Sequence, residues 1–137
     1  MSKIAIARAT ADAGLDWQPT EEQEQAAIFE WAQLMTPQFP ELALLFHVPN
    51  GGLRSKPEAV RMKKTGVKPG VPDLCLPVPR GESHGLFIEL KRRHGGKVSP
   101  DQKAWIEALT DQGYYAEVCR GAEEACDLII AYLEGRA

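Results

Sequence analysis

Two acids and a lysine in one short stretch are spaced to do chemistry together. In Val71–Lys91 (VPDLCLPVPRGESHGLFIELK), Asp73 follows a proline, and Glu89 and Lys91 are separated only by Leu90. Residues two apart on a strand point to the same face, so Glu89 and Lys91 share one with Phe87, while Ile88 and Leu90 point into a core. Asp73 opens the preceding apolar run. Converging carboxylates repel unless something positive lies between them. Mg²⁺ or Mn²⁺ suits that place, because such ions take oxygen ligands, often one or two carboxylates, and keep several waters. The Leu90 carbonyl is a further oxygen within that set. Water beside such an ion loses a proton more easily and can attack a phosphodiester in line. Lys91 then orients or deprotonates that water, or stabilises charge in the transition state. The same three residues also fit a surface salt bridge plus a capping aspartate, and such triplets are common by chance.

The surrounding elements must position these groups. Residues 1–18 show no sustained period and read as an arm preceding a single domain over 19–137. Thr20 is placed to cap a helix whose first turn is acidic, with Ala27, Ile28, Trp31, Leu34 and Met35 on its apolar face and an end before Pro37. Leu42–Val48 reads as a buried strand, stopped by the turn Pro49-Asn50-Gly51-Gly52. Lys56–Gly66 reads as a short basic helix with Pro57 in its first turn. Asp73–Pro79 and Leu86–Lys91 form an antiparallel pair of strands. Ser99 and Pro100 open a second long helix, with Ala104, Trp105, Ala108 and Leu109 inward and Gly113 at its close. Tyr114–Cys119 is a fourth strand. Gly121–Leu133 is a closing helix with Ala125, Leu128, Ile129 and Tyr132 inward. The order α-β-α-β-β-α-β-α predicts an α/β domain with a mixed central sheet of about four strands flanked by helices.

The 137 residues carry 16 Lys/Arg against 19 Asp/Glu, a net charge of −3. The charge is uneven: residues 54–103 hold 12 Lys/Arg and 5 Asp/Glu, a local +7. A polyanion meets the local field, not the net charge. Cys75, Cys119 and Cys126 make no CxxC pair, and their odd count fits buried reduced thiols rather than a disulfide framework. No zinc-ligand spacing occurs. No apolar run approaches the roughly 20 residues needed to span a bilayer, and no signal peptide is apparent, which points to a cytoplasmic chain without a membrane partner.

The segments TEEQEQAAIFEWA, FHVPNGGLRS, KKTGVKPGVPDLCLPV, GLFIELKRRHGGKVSPDQKAWIEAL and GYYAEVCRGAEEA, in that order, resemble the virus-type replication-repair nuclease (VRR-NUC) family of the PD-(D/E)xK nuclease superfamily. The resemblance covers roughly residues 20–133 and rests on VPNGG, GVPD, IELK and SPDQ together. It implies a restriction-endonuclease-like core in α-β-β-β-α-β order, with the short basic helix inserted. It also implies an intact site, since Asp73, Glu89 and Lys91 fill the motif positions without substitution. In the family a glutamate on the first helix completes the acidic cluster. Glu21 is favoured by position, with Glu24 second and Glu22 third, although glutamates in a first helical turn also serve the dipole. Gln102 is suggested to contact the site or a phosphate, with an exposed glutamine as the alternative.

The basic segments read as DNA contacts. Arg54, Lys56, Arg61, Lys63, Lys64 and Lys68 precede Asp73, while Arg92, Arg93 and Lys97 follow Lys91. Such side chains grip phosphates without reading bases. Asn50, Gly51 and Gly52 could bring backbone amides close to a phosphate or form an ordinary turn. His47 reads as a core or strand-edge histidine rather than a base. The expectation is a Mg²⁺- or Mn²⁺-dependent endonuclease cutting branched or structured DNA. Stand-alone members of the family resemble Holliday junction resolvases, which points to a homodimer on a four-way junction. The alternatives are a monomeric flap or nicking nuclease, a non-catalytic structured-DNA-binding module, and an α/β domain with a protein partner.

Overall fold

The computed structural model describes residues 17–49 and 55–137. Among the described residues, four α-helices, one 3-10 helix and four strands follow the chain in a single order. Helix α1 spans Glu21–Met35 and opens with a capping box: the Thr20 hydroxyl accepts from the Gln23 amide, and the Gln23 side chain accepts from the Thr20 amide. Ala27, Ile28 and Ala32 form its buried stripe, but Leu34 is 67% exposed and does not belong to the inward face.

The expected strand over 42–48 is corrected. Pro40–Leu44 is a 3-10 helix, and only Phe46–His47 forms a strand, β1. Leu42 and Leu45 are buried while Leu44 and Phe46 are exposed. That three-residue spacing is the period of a 3-10 turn, and Pro40 at its start has the φ such a turn needs. Helix α2, Lys56–Lys64, is capped by Ser55 and buries none of its residues.

Strand β2 is short, Leu74–Leu76, with all three side chains buried; β3 is Leu86–Lys91. They pair antiparallel, with Leu74 opposite Ile88 and Leu76 opposite Leu86. Helix α3, Pro100–Asp111, carries the chain across to β4, Tyr115–Arg120, which lies parallel to β3 with Leu86 opposite Tyr115 and Lys91 opposite Arg120. Helix α4, Ala122–Leu133, follows. The sheet order is β1-β2-β3-β4, mixed and four-stranded, as the sequence predicts.

β3 is covered on both faces, so it reads as a nearly continuous apolar run interrupted only by the acid and the lysine. Ile88 and Leu90 join Ile28, Ala125, Ile129 and Tyr132 in the core. On α3 the inward side is Trp105, Ile106 and Leu109, all half-buried, whereas Ala104 and Ala108 are exposed. The three cysteines are buried free thiols. Burial pushes Cys75 up to about 11 and Cys119 to about 12, which keeps both protonated and unreactive. Among the described residues, no helix is long and apolar enough to cross a membrane.

Candidate active site

Asp73 lies one residue before β2, where its carboxylate Oδ2 accepts the Leu90 amide at 2.7 Å. That bond fixes which way Leu90 faces. The Lys91 carbonyl accepts the Gly121 amide at 2.9 Å on the β4 side. Successive residues of a strand address opposite neighbours, so both polar groups of Leu90 face β2. Extending the β2–β3 register by two residues places Pro72 opposite Leu90. A proline has no N–H to give. The Pro-Asp pair therefore does two things: the aspartate takes the Leu90 amide, and the proline withholds a ladder donor from the Leu90 carbonyl. That carbonyl is directed to the β2 side, the side from which Asp73 reaches the Leu90 amide.

Glu89 and Lys91 are almost fully buried, at 3% and 7% exposure. Lys91 Nζ stands 3.6 Å from Glu89 Oε1, and the Gln102 side-chain amide donates to the same oxygen at 2.5 Å. Gln102 is held at its other end, where its carbonyl oxygen accepts the Ser99 amide at 2.8 Å in the capping box that opens α3. The glutamine thus ties the start of α3 to the acid on β3. Glu89 Oε2 is the one buried side-chain polar atom among the described residues with no hydrogen-bond partner. A buried orphan oxygen is costly unless an ion or water meets it.

The electrostatics favour a cation at this point. Burial pushes the Glu89 carboxyl up to about 8, with the Asp73 charge adding and Lys91 opposing. Asp73 is also raised, by burial first, against the Leu90 hydrogen bond that lowers it. The Glu21 charge raises both. Glu21 is exposed and reaches this end of the sheet: its Oε1 lies near Gly96, as does the Lys91 side chain.

Glu24, the second choice for the third acid, is placed elsewhere. It is 1% exposed, its Oε2 accepts the Ala122 amide at 2.6 Å, and its Oε1 accepts Arg93 Nη2 at 3.1 Å. Both oxygens serve the N-terminus of α4 and a neighbouring guanidinium, so Glu24 is a structural acid and not a ligand. Its position has a physical cause. Gly121, at the N-cap of α4, has no side chain to cap with, and a Cβ there would stand 2.7 Å from Glu24 Oε2. The glycine admits a cap from another helix.

The family profile for the VRR-NUC domain matches residues 10–123. The chain belongs to the VRR-NUC family. A solved structure of a VRR-NUC domain protein is 32% identical and superposes with a TM-score of 0.75, over 87% of this chain and 92% of that one. Among curated proteins, none matches. The VRR-NUC assignment makes this a nuclease domain acting on DNA.

Within this VRR-NUC domain, no group of three or more His, Cys, Asp or Glu side chains closes into a metal cluster among the described residues. Asp73 is close enough for its charge to raise Glu89, and the Leu90 carbonyl is a main-chain oxygen between Glu89 and Lys91; two carboxylates and a carbonyl are the donor set of a hydrated Mg²⁺ rather than of zinc. The orphan Glu89 Oε2 shows that the residues present fit such an ion.

The basic residues divide. Lys56, Arg61, Lys63, Lys64 and Lys68 are exposed, as are Arg92 and Lys97. Arg93 is half-buried and donates to Glu24, which gives it a structural partner. Asn50, Gly51, Gly52 and Arg54 lie outside the described residues. His47 is exposed on the edge strand β1, with Nδ1 at 3.1 Å from the Asp73 carbonyl oxygen, so it braces the strand start as a strand-edge histidine would. Sequence reasoning missed the hold of Arg120 on the carbonyls of the loop after β3 and the structural use of Glu24. Only the capless Gly121 hints at the second, and nothing local hints at the first.

Proposed function

We propose that this protein is a Mg²⁺- or Mn²⁺-dependent endodeoxyribonuclease that hydrolyses phosphodiester bonds in branched DNA, four-way junctions foremost, as a homodimer. The observation that carries the metal is the buried, unpartnered Glu89 Oε2, on an acid that the Asp73 charge also raises. Asp73, Glu89 and the Leu90 carbonyl would hold the ion, with Glu21 as the outer acid. When bound, the ion would supply Lewis acidity to the phosphate and make a neighbouring water easier to deprotonate.

The chain's own residues do the rest. Lys91 Nζ is buried beside Glu89, where little water screens it; its charge orients the attacking water and stabilises negative charge developing on the phosphate. Gln102 engages Glu89 Oε1, while Oε2 is left without a protein partner and open to the ion. Glu21 adds negative charge at the mouth, favouring a cation there. Lys56, Arg61, Lys63, Lys64, Lys68, Arg92 and Lys97 bring in the phosphate backbone without reading bases. A four-way junction has two-fold symmetry, so a symmetric dimer places one site on each of two strands.

A panel of labelled junction, flap and duplex substrates, with Mg²⁺ and with Mn²⁺, tests this reading. Paired symmetric cuts in the four-way junction are expected, lost in Asp73→Ala while junction binding persists. Cuts mainly at flaps would replace junction resolution with flap cleavage. Binding without cutting under any divalent metal would leave a DNA-binding module. Lys91→Ala is expected to lose cleavage and keep metal binding, and unchanged turnover removes Lys91 from the mechanism.

A further inference from the structure

The loop that follows Lys91 is built in an unusual way. Arg120, the last residue of β4, stands opposite Lys91 in the parallel ladder, so its side chain starts on the same face of the sheet. From there its guanidinium reaches back to the loop. It donates to the Gly95 carbonyl at 2.6 Å, to the Gly96 carbonyl at 3.2 Å and to the Arg92 carbonyl at 3.5 Å. The His94 carbonyl between them accepts the Gln18 side-chain amide at 3.0 Å, and the Gln18 oxygen accepts the His94 amide at 3.1 Å. Gly95 and Gly96 both have positive φ, +77° and +68°, which lets the chain turn its carbonyls toward the arginine.

The charge consequences follow directly. Neutral carbonyls do not cancel the charge of Arg120. They are the negative ends of the loop's peptide dipoles, and they are drawn to one point beneath it. The side chains that the loop itself carries outward are basic, with Arg92 and Lys97 both exposed. The segment from Lys91 to Pro100 has no acid, and Arg93, His94, Gly95, Gly96, Lys97 and Arg120 line an open cleft of about 380 Å³. That cleft adjoins the proposed site through Glu21 and Lys91: a Cβ on Gly96 would be 3.8 Å from both Glu21 Oε1 and the Lys91 Cδ.

We infer that this cleft is a phosphate clamp for the DNA backbone next to the scissile bond, with Lys97 as a contact and Arg120 as the positioning residue that holds the loop in its clamping shape. The inference rests on the nuclease reading and adds a substrate subsite to it. It differs from a general basic surface because the loop is prearranged, three of its carbonyls gathered by one guanidinium.

The test uses the full chain and duplex DNA carrying a fluorescent label, with anisotropy read over a salt series in the absence of divalent metal. Lys97→Ala is expected to reduce the slope of log affinity against log salt by about 0.9, one phosphate's worth. Arg120→Met is expected to weaken binding about tenfold and to flatten the slope at least as much, with Arg120→Lys recovering part of both. In cleavage assays the loss should fall on KM more than on kcat. If Arg120→Met does not fold, Arg120→Lys decides together with Lys97→Ala: a lysine variant with the parent's affinity and slope overturns the clamp. Salt-dependent binding by the parent chain with unchanged slopes in both variants overturns the clamp and leaves the nuclease reading standing. A parent chain whose DNA binding has no salt dependence overturns both. A kcat loss with KM unchanged in Arg120→Met overturns the clamp too, by assigning that residue to supporting Lys91 instead.

Discussion

At the residue scale, the site is a place where stability is given up for chemistry. Glu89 has a free value near 4.5 and is pushed up to about 8 in the fold when no metal neutralises it. The folded state therefore holds this proton more tightly than the unfolded chain does. Stability falls as pH rises from about 4.5 to about 8, and the penalty is fully present above that. Thermal melts in chelator should show Tm decreasing between pH 5 and pH 8.5. Mg²⁺ or Mn²⁺ should raise Tm, and by more at pH 8.5 than at pH 5, since the ion needs the ionised acid. Glu89→Gln removes the penalty while keeping an oxygen for Gln102 and Lys91. It is expected to melt higher than the parent at pH 8.5 without metal, by an amount on the order of 1–3 kcal/mol, and to lose cleavage. A parent chain whose Tm is flat across this pH range would remove Glu89 as the titrating group.

At the element scale, one buried acid joins three pieces. Glu24 on α1 caps α4 through the Ala122 amide and takes Arg93 from the β3–α3 loop. One turn earlier on the same helix face stands Glu21. The cap thereby sets where α1 lies along the end of the sheet. Glu24→Ala leaves the Arg93 charge and a buried amide without this acid, and denaturant unfolding should show a loss of about 3–5 kcal/mol. Gln in its place should lose less, because it can still accept the amide. A loss below about 1 kcal/mol would mean that packing alone holds the two helices. Helix α2 is the opposite case. It buries nothing and carries Arg61, Lys63 and Lys64 in its last turn, where cations suit the dipole. Replacing these three should leave stability within about 0.5 kcal/mol of the parent. It should also flatten the salt dependence of DNA binding by about 0.9 for each phosphate no longer neutralised. An unchanged slope would place α2 away from DNA.

At the scale of the whole molecule, the sheet order explains why the site lies where it does. β2 and β3 run antiparallel and β3 and β4 parallel, so the start of β2, the end of β3 and the end of β4 meet at one edge. The helix starts at Glu21 and Pro100 bring Glu21 and Gln102 to that edge. The dimer expected on a four-way junction belongs to this scale as well. Light scattering of the free protein and of its junction complex should give two chains per particle. One chain in both states would return the assembly to a monomeric nuclease.

Much of the fold is legible in the chain because local chemistry is strong in it. Thr20 and Ser99 are caps with a glutamine three residues on, and both helices begin where those capping boxes require. Leu86–Lys91 is a strand because it is apolar and bounded by Gly85 and basic loop residues. Asp73, Glu89 and Lys91 are readable because motif and alternation agree. The run over 42–48 misleads because a short apolar segment fits a buried strand or a 3-10 turn equally, and only packing shows Leu42 and Leu45 inward. Tertiary structure alone separates the two candidates for the third acid. Glu21 and Glu24 are three residues apart on one helix and look alike in sequence. What separates them is a glycine nearly a hundred positions later, whose missing side chain lets α4 take Glu24 as its cap and leaves Glu21 at the mouth of the site.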